Sequence, residues 1–300
     1  MIRRLVQSLS LVGVNLNVLY EVKQVCVPVL NCHSCPLASF SCPIGILGHF
    51  TDWRVFPFLA LGAVGAAAAF LGRAFCGWAC PFGYLQDGLY KIRTRKFRLP
   101  AWAYKVKYGV LIITVFAVPA LLTVDSPLFF CQWCPAATLE STVPYAFLRG
   151  GFPGVQVGRL LLPTGGTAAR LGALGLIVGL VIYSERAFCL SLCPLGALLA
   201  PFNKVSALQM ERRSDVCTDC GACGAVCPAW TPAQAKSGLL PGDSSMECMF
   251  CMKCTDECRV PGALGTTFLG FGRRVPSPPP TAPAGEAEPA ERNRETAQAS

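Results

Sequence analysis

Residues 73–83 read Arg73-Ala74-Phe75-Cys76-Gly77-Trp78-Ala79-Cys80-Pro81-Phe82-Gly83, and residues 186–196 read Arg186-Ala187-Phe188-Cys189-Leu190-Ser191-Leu192-Cys193-Pro194-Leu195-Gly196. Both fit R-A-F-C-x-x-x-C-P-x-G, and both follow an apolar run directly. The repeat predicts a duplicated helix pair. Internal repeats in membrane proteins commonly relate their halves by a pseudo-two-fold axis, which brings corresponding loops together. Cys76, Cys80, Cys189 and Cys193 are then expected to converge. C-x-x-x-C spacing sets two cysteines on one face of a helical turn, so the four form a candidate metal or redox site. Plain packing of buried thiols is the alternative.

The composition says what surrounds this repeat. Of 300 residues, 53% are hydrophobic and only 14% charged, with a mean hydropathy of +0.46. That is too apolar for a soluble domain of this length. Four stretches, about 5–20, 55–71, 108–124 and 171–183, are candidates to cross a hydrocarbon core of roughly 30 Å. The first follows Met1-Ile2-Arg3-Arg4 and could pass for a secretory signal, but no small-residue cleavage site follows Tyr20, so an uncleaved helix is expected. Lys and Arg number eight in 73–107 and eleven in 185–300, against two in 21–54 and three in 125–170. By the positive-inside rule both termini and the 73–107 loop face the cytoplasm, in a plasma (inner) membrane protein. The net charge of +9 is thereby used up in topology, and no nucleic-acid partner is expected. The basic run Lys91–Arg98 fits a topology determinant on anionic headgroups, or a dock for an acidic redox partner. The two histidines, His33 and His49, fall in one loop, so paired-histidine haem wiring across the bilayer is excluded.

Eighteen cysteines are grouped at short fixed spacings, which argues for ligation over a scattered disulfide framework. The outward loops carry Cys26, Cys32, Cys35, Cys42, Cys131 and Cys134. Cys32-His33-Ser34-Cys35-Pro36 and Cys131-Gln132-Trp133-Cys134-Pro135 share C-x-x-C-P and read as a second matched pair. On an oxidising side, disulfides, thiol exchange and a metal site all remain open for these six.

The last third carries the most specific pattern. Cys217, Cys220, Cys223 and Cys227-Pro228 follow C-x-x-C-x-x-C-x-x-x-C-P, and Cys248, Cys251, Cys254 and Cys258 repeat the spacing. This is the two-cluster bacterial ferredoxin signature, in which the fourth cysteine ligates the other cluster. One [4Fe-4S] cluster is expected on Cys217, Cys220, Cys223 and Cys258, the second on Cys248, Cys251, Cys254 and Cys227. Four-cysteine zinc sites are a weaker reading of two intact repeats. Arg259 stands where the first motif has Pro228. The predicted organisation is a membrane domain over 1–205, a ferredoxin-like α+β domain over 206–265 and a disordered Pro-, Ala- and Glu-rich tail over 274–300. The fold class is mainly α, a four-helix transmembrane bundle built from the duplicated pair.

Arg4-Leu5-Val6-Gln7 before the first span, the C-x-x-x-C-P motifs at Cys76–Pro81 and Cys189–Pro194, and the double ferredoxin motif together resemble the NapH-type membrane 4Fe-4S protein family over residues 3–265. That family includes the quinol dehydrogenase membrane subunit of periplasmic nitrate reduction, with relatives in nitrous-oxide reductase support and cytochrome oxidase assembly. The resemblance implies four spans, cytoplasmic [4Fe-4S] clusters, and electron exchange with the quinone pool or a membrane redox partner within a redox protein complex. The outward cysteines, notably Cys32–Cys35, Cys42-Pro43 and Cys131–Cys134, depart from the nitrate-reductase pattern.

The function expected is therefore membrane-bound electron transfer, as an electron-transfer component of the quinol dehydrogenase kind. The cofactors would be two [4Fe-4S] clusters, with a further cluster or metal in the membrane domain, and the substrate a quinone. Asp87, Asp125, Glu140 and Glu185 stand where a proton could be handled, by location alone. The rival is an assembly or maturation factor that supplies electrons or metal to an extracytoplasmic metalloenzyme. Its outer cysteines would then suit Cu(I), a soft ion.

Overall fold

The computed structural model describes residues 2–16, 25–32, 34–35, 37–142, 166–213, 216–229, 246–260, 262–269 and 271–272. His33, Pro36, most of the insert between the ferredoxin motifs and the 274–300 tail lie outside them.

The chain is mainly helical. Helix α1 spans Ile2–Val14, α2 Pro43–Asp52, α3 Phe58–Leu71, α4 Ala74–Trp78 and α5 Pro81–Leu89. A continuous helix α6 runs Ala103–Leu121, widened to π geometry over Leu111–Ala117. The widened stretch lies just before Pro119, whose ring clashes with the carbonyl four residues back. Short α7 (Phe130–Trp133) and α8 (Pro135–Ala137) follow, then α9 (Gly166–Tyr183), α10 (Ala187–Ser191) and α11 (Pro194–Leu199).

Of the four expected spans, α6 alone among the described residues is long and apolar enough to cross a membrane; Phe58–Leu71 and Ala169–Tyr183 are apolar but shorter. Helix α6 begins five residues before the expected 108, because Lys107, which breaks the apolar run in sequence, is fully buried in an ion pair with Glu247. On α3 the buried residues are Ala60, Val64 and Ala68. That single stripe leaves apolar side chains pointing outward: Phe58 and Leu59 are 77% and 78% exposed, and Leu121 and Leu176 on α6 and α9 are 81% and 71% exposed.

The core gathers Val64 and Ala68 of α3, Leu111 and Val115 of α6, Ile177 and Val181 of α9, and the cysteine-bearing turns of both repeats. Phe82 and Phe188, from opposite repeats, meet edge to face with centroids 5.1 Å apart, the arrangement the ring quadrupoles favour.

Three antiparallel strands close the C-terminal module in the order β1-β2-β3: β1 (Leu208–Arg212), β2 (Leu264–Phe268) and β3 (Phe271–Gly272). Leu208 pairs with Phe268 and Arg212 with Leu264. Strands β1 and β2 thus clasp the segment that carries both ferredoxin motifs. Between them lie the one-turn helices α12 (Ala222–Ala225) and α13 (Lys253–Asp256), one from each motif. Met210, Leu264, Phe250 and Cys254 form a small apolar cluster together with Ala74 of α4, so the module packs directly on the first repeat.

Candidate metal centres

One local construction recurs four times. Cys42, Cys80, Cys134 and Cys193 each sit in extended backbone geometry immediately before a proline that opens a helix: α2, α5, α8 and α11. Proline suits the first helical position because its fixed φ matches the helix and its missing N–H would be unpaired there anyway. The preceding cysteine therefore occupies the cap, with its sulfur toward free backbone N–H groups. Gly196 N–H closes on the Cys193 sulfur at 3.4 Å. The N–H groups of Gly45, Gly83 and Ala137 lie near Cys42, Cys80 and Cys134 without closing a cap bond.

The two eleven-residue repeats interlock. Arg186 Nη1 donates to the Cys76 carbonyl at 2.7 Å, and Arg73 Nη2 donates to the Cys189 carbonyl at 3.4 Å. A Cβ placed on Gly83 would lie 3.0 Å from the Cys76 carbonyl oxygen, and one on Gly196 would lie 3.0 Å from that of Cys189, so each repeat needs its glycine for the same close approach. The four thiols Cys76, Cys80, Cys189 and Cys193 are buried and are mutual electrostatic neighbours. Gln86 Nε2 donates to the Cys189 sulfur at 2.9 Å. Burial pushes Cys80 and Cys193 far up, and Cys189 up to about 11 although Arg186 and Gln86 pull it down. Such thiols ionise when a metal centre supplies the compensating charge, releasing protons as it binds. Two buried guanidiniums and an amide donor fit this set to an anionic four-thiolate centre.

In the module, Cys227 lies in electrostatic contact with Cys251, Cys248 and Cys254, and Cys223 with Cys217 and Cys220. The fourth cysteine of the first motif is thus placed among the first three of the second. Burial raises Cys227 and Cys254 to about 12 and Cys248 to about 11. The loop carrying Cys248 and Cys251 is seated on the first repeat. Trp78 Nε1 donates to the Phe250 carbonyl at 2.7 Å, Arg3 Nη1 to the Cys251 carbonyl at 3.2 Å, and Asn203 Nδ2 to the Cys248 carbonyl at 2.8 Å. A Cβ on Gly77, between Cys76 and Cys80, would collide with the Met249 carbonyl. Glu247 bonds Arg73 at 3.0 Å and pairs with Lys107; both cations are fully buried. Asp87 takes a two-pronged bond from Arg186 at 2.8 and 2.7 Å and one from Arg3 at 2.9 Å. Burial raises the Asp87 carboxyl, but Arg186 and Arg3 outweigh it and hold the pKa down.

The six outer cysteines divide. Cys32, Cys42, Cys131 and Cys134 line one cavity of about 220 Å³. Cys35 and Cys26 do not: Cys35 accepts an N–H from Leu37 at 3.4 Å, and Cys26 sits in a β-bridge to Ser41. Of the matched C-x-x-C-P strings, His33 and Pro36 lie outside the described residues. The counterpart of helix-capping Cys134-Pro135 is Cys42-Pro43, because Cys35 belongs to a tight turn closed by its own N–H to the Cys32 carbonyl at 3.0 Å. None of the eighteen cysteines is in a disulfide. Of the four carboxylates, Asp87 and Glu185 are tied up in ion pairs, the latter with Lys253. Glu140 accepts the Cys32 N–H at 2.6 Å and is raised by burial to about 7, and Asp125 lines the outer cavity.

The sequence pattern of the 4Fe-4S binding domain family matches residues 53–100 and again 166–211. It falls on the two repeats, ahead of the ferredoxin motifs. NirI of Paracoccus denitrificans is 30% identical over 236 residues, 76% of this chain and 30% of NirI. The ferredoxin-type protein NapH of Haemophilus influenzae is 26% identical over 219 residues, 66% of each chain. The chain is thus similar to the NapH-type 4Fe-4S proteins at 26–30% identity. YccM of Escherichia coli is a further relative, 26% identical over 225 residues, 73% of this chain and 58% of YccM. The match therefore spans little more than half of YccM and under a third of NirI. No solved structure matches the chain.

The names of these relatives describe an electron transport protein, YccM, and a ferredoxin-type protein, NapH. Arg73 and Arg186 open the two repeats, and that recurrence is the one sequence signal for their role. Gln86, Glu247, Asn203 and Lys107 stand outside every motif, and no sequence signal marks them.

Proposed function

We propose that this chain is an electron conduit of the inner membrane, exchanging electrons between quinone, handled at the helical domain over 1–205, and [4Fe-4S] clusters on the cytoplasmic side in the domain over 206–265. The observation that carries the reading is the seating of the Cys248–Cys251 loop on Gly77, within the Cys76–Cys80 turn. It brings the ferredoxin module against the four-thiol set of the repeats.

Cys217, Cys220, Cys223 and Cys258 hold one cluster, Cys248, Cys251, Cys254 and Cys227 the second, and Cys76, Cys80, Cys189 and Cys193 a further centre. Quinol gives up electrons in pairs, whereas bound clusters accept them singly. The chain's own residues set the conditions: Arg73 and Arg186 offset thiolate charge, Gln86 donates to sulfur, and Asp87 with Glu247 fixes the module in place. Beside Pro81 opens a cavity of about 770 Å³, walled by Phe82, Leu85, Leu89 and Leu139, with Asp87 and Lys253 among its polar groups. Its size and apolar lining suit a quinone headgroup. The outward apolar side chains of α3, α6 and α9 support a lipid setting. The bond from Arg3 to the Cys251 carbonyl supports the N-terminus and the module sharing the cytoplasmic side, where an acidic redox partner protein would meet them.

The test is anaerobic. The iron-loaded chain in nanodiscs should lose its brown absorbance on adding a short-chain quinol, and Leu89→Trp, which fills the cavity, should slow that loss at least tenfold. A fully loaded protein whose spectrum responds to neither quinol nor quinone overturns the reading.

A further inference from the structure

We propose that the outer cavity is a second four-thiolate site within the helical domain, holding a [4Fe-4S] cluster on Cys32, Cys42, Cys131 and Cys134. It goes beyond the reading above, since the inner and module sites can be loaded whether or not this one is.

Three observations carry it. The four cysteines come from two separate segments and line one cavity of about 220 Å³. Cys131 and Cys134 each lie in electrostatic reach of Cys32 and Cys42. The construction repeats the inner one: two helix-capping Cys-Pro cysteines, Cys42 and Cys134, joined by two cysteines from the preceding segments, Cys32 and Cys131, as Cys80 and Cys193 are joined by Cys76 and Cys189. Where the inner set has buried arginines, Arg170 lines the outer cavity, held by its bond to Gln132. A cation there suits an anionic cluster.

Four cysteines around one volume suit a cubane. A single ion draws sulfur to about 2.3 Å. A cubane instead takes one thiolate at each of its four iron corners, leaving the sulfurs spread around a volume. The two thiol sets of the helical domain also meet at one peptide link. Leu30 N–H faces the Cys80 sulfur of the inner set, and the next N–H, that of Asn31, faces Cys42 of the outer.

The test counts iron and acid-labile sulfide in the full chain after anaerobic reconstitution. Cys42→Ala/Cys134→Ala should carry about four fewer irons and four fewer sulfides per chain than wild type, the content of one cubane, with the EPR signals of the ferredoxin module intact. Should the double variant lose all iron through misfolding, Cys131→Ser, at a half-buried position, decides: it either loses about four irons or shifts one EPR signal that the module variants leave alone. An unchanged count with unchanged spectra in Cys131→Ser overturns the proposal. So does a purified wild-type chain whose mass shows these cysteines oxidised in pairs, or one that retains copper there after reconstitution with iron.

Discussion

Arg186 bonds the carbonyl oxygen of Cys76 at 2.7 Å across 110 residues of chain, while its other nitrogens grip Asp87. The bond from Arg73 to the Cys189 carbonyl is its mirror. Each repeat thus fixes the first cysteine of the other, and the four-thiol set exists only when both are folded.

Arg186→Ala should therefore destabilise the chain by about 3 kcal/mol, because it leaves Asp87 with Arg3 as its one cationic partner and removes the side-chain donor to the Cys76 carbonyl. Arg186→Lys should recover less than half of that, since an ammonium cannot hold Asp87 with two prongs and reach Cys76 together. Urea unfolding in detergent, followed by tryptophan fluorescence, checks both. A lysine variant as stable as wild type would show that charge alone, without the fork, suffices.

Gly77→Ala tests the seating of the module. An added methyl meets the Met249 carbonyl, and backbone cannot swing aside as a side-chain tip can, so the expected cost is about 1–3 kcal/mol. The module should keep its own iron yet become more susceptible to limited proteolysis, and quinol-driven reduction should slow. Gly88→Ala, where nothing lies within 4 Å of a new Cβ, is the matched control and should change neither.

The repeat, the ferredoxin spacing and the apolar character were all legible because each is written in local pattern: a fixed string, a fixed cysteine interval, a hydropathy sum. What the sequence did not disclose depends on distant pairs. Lys107 lies just outside the expected span 108–124, yet its ion pair with Glu247, 140 residues away, accompanies full burial within the helix. Cys42-Pro43 and Cys134-Pro135 both stand before helices in the same extended geometry, a likeness that no fixed cysteine interval announces.

Gln86 offers a test that moves a potential and leaves the ligands in place. Its Nε2 donates to the Cys189 sulfur at 2.9 Å, and hydrogen bonds to sulfur favour the more negative, reduced state. Gln86→Leu should lower the midpoint of one cluster by tens of millivolts, given that about 1.4 kcal/mol corresponds to ~59 mV for one electron. Iron content should not change. Redox titration by EPR checks the shift, and an unmoved set of midpoints would remove Gln86 from the neighbourhood of any cluster.

Cys227 decides how the two motifs share their ligands. It follows Cys223 by only four positions, yet its electrostatic neighbours are Cys251, Cys248 and Cys254, while those of Cys223 include Cys217 and Cys220. Three closely spaced thiolates grip three corners of one cubane, and a fourth turning back onto it would strain the short helix Ala222–Ala225 that carries the chain away. Cys227→Ser should therefore perturb the EPR signal that Cys248→Ser perturbs and spare the one that Cys220→Ser perturbs. Cys258→Ser should do the reverse. The pairing can be read without assigning either signal beforehand, because only the grouping of the four variants matters. If Cys227→Ser instead groups with Cys220→Ser, each motif closes on its own cluster.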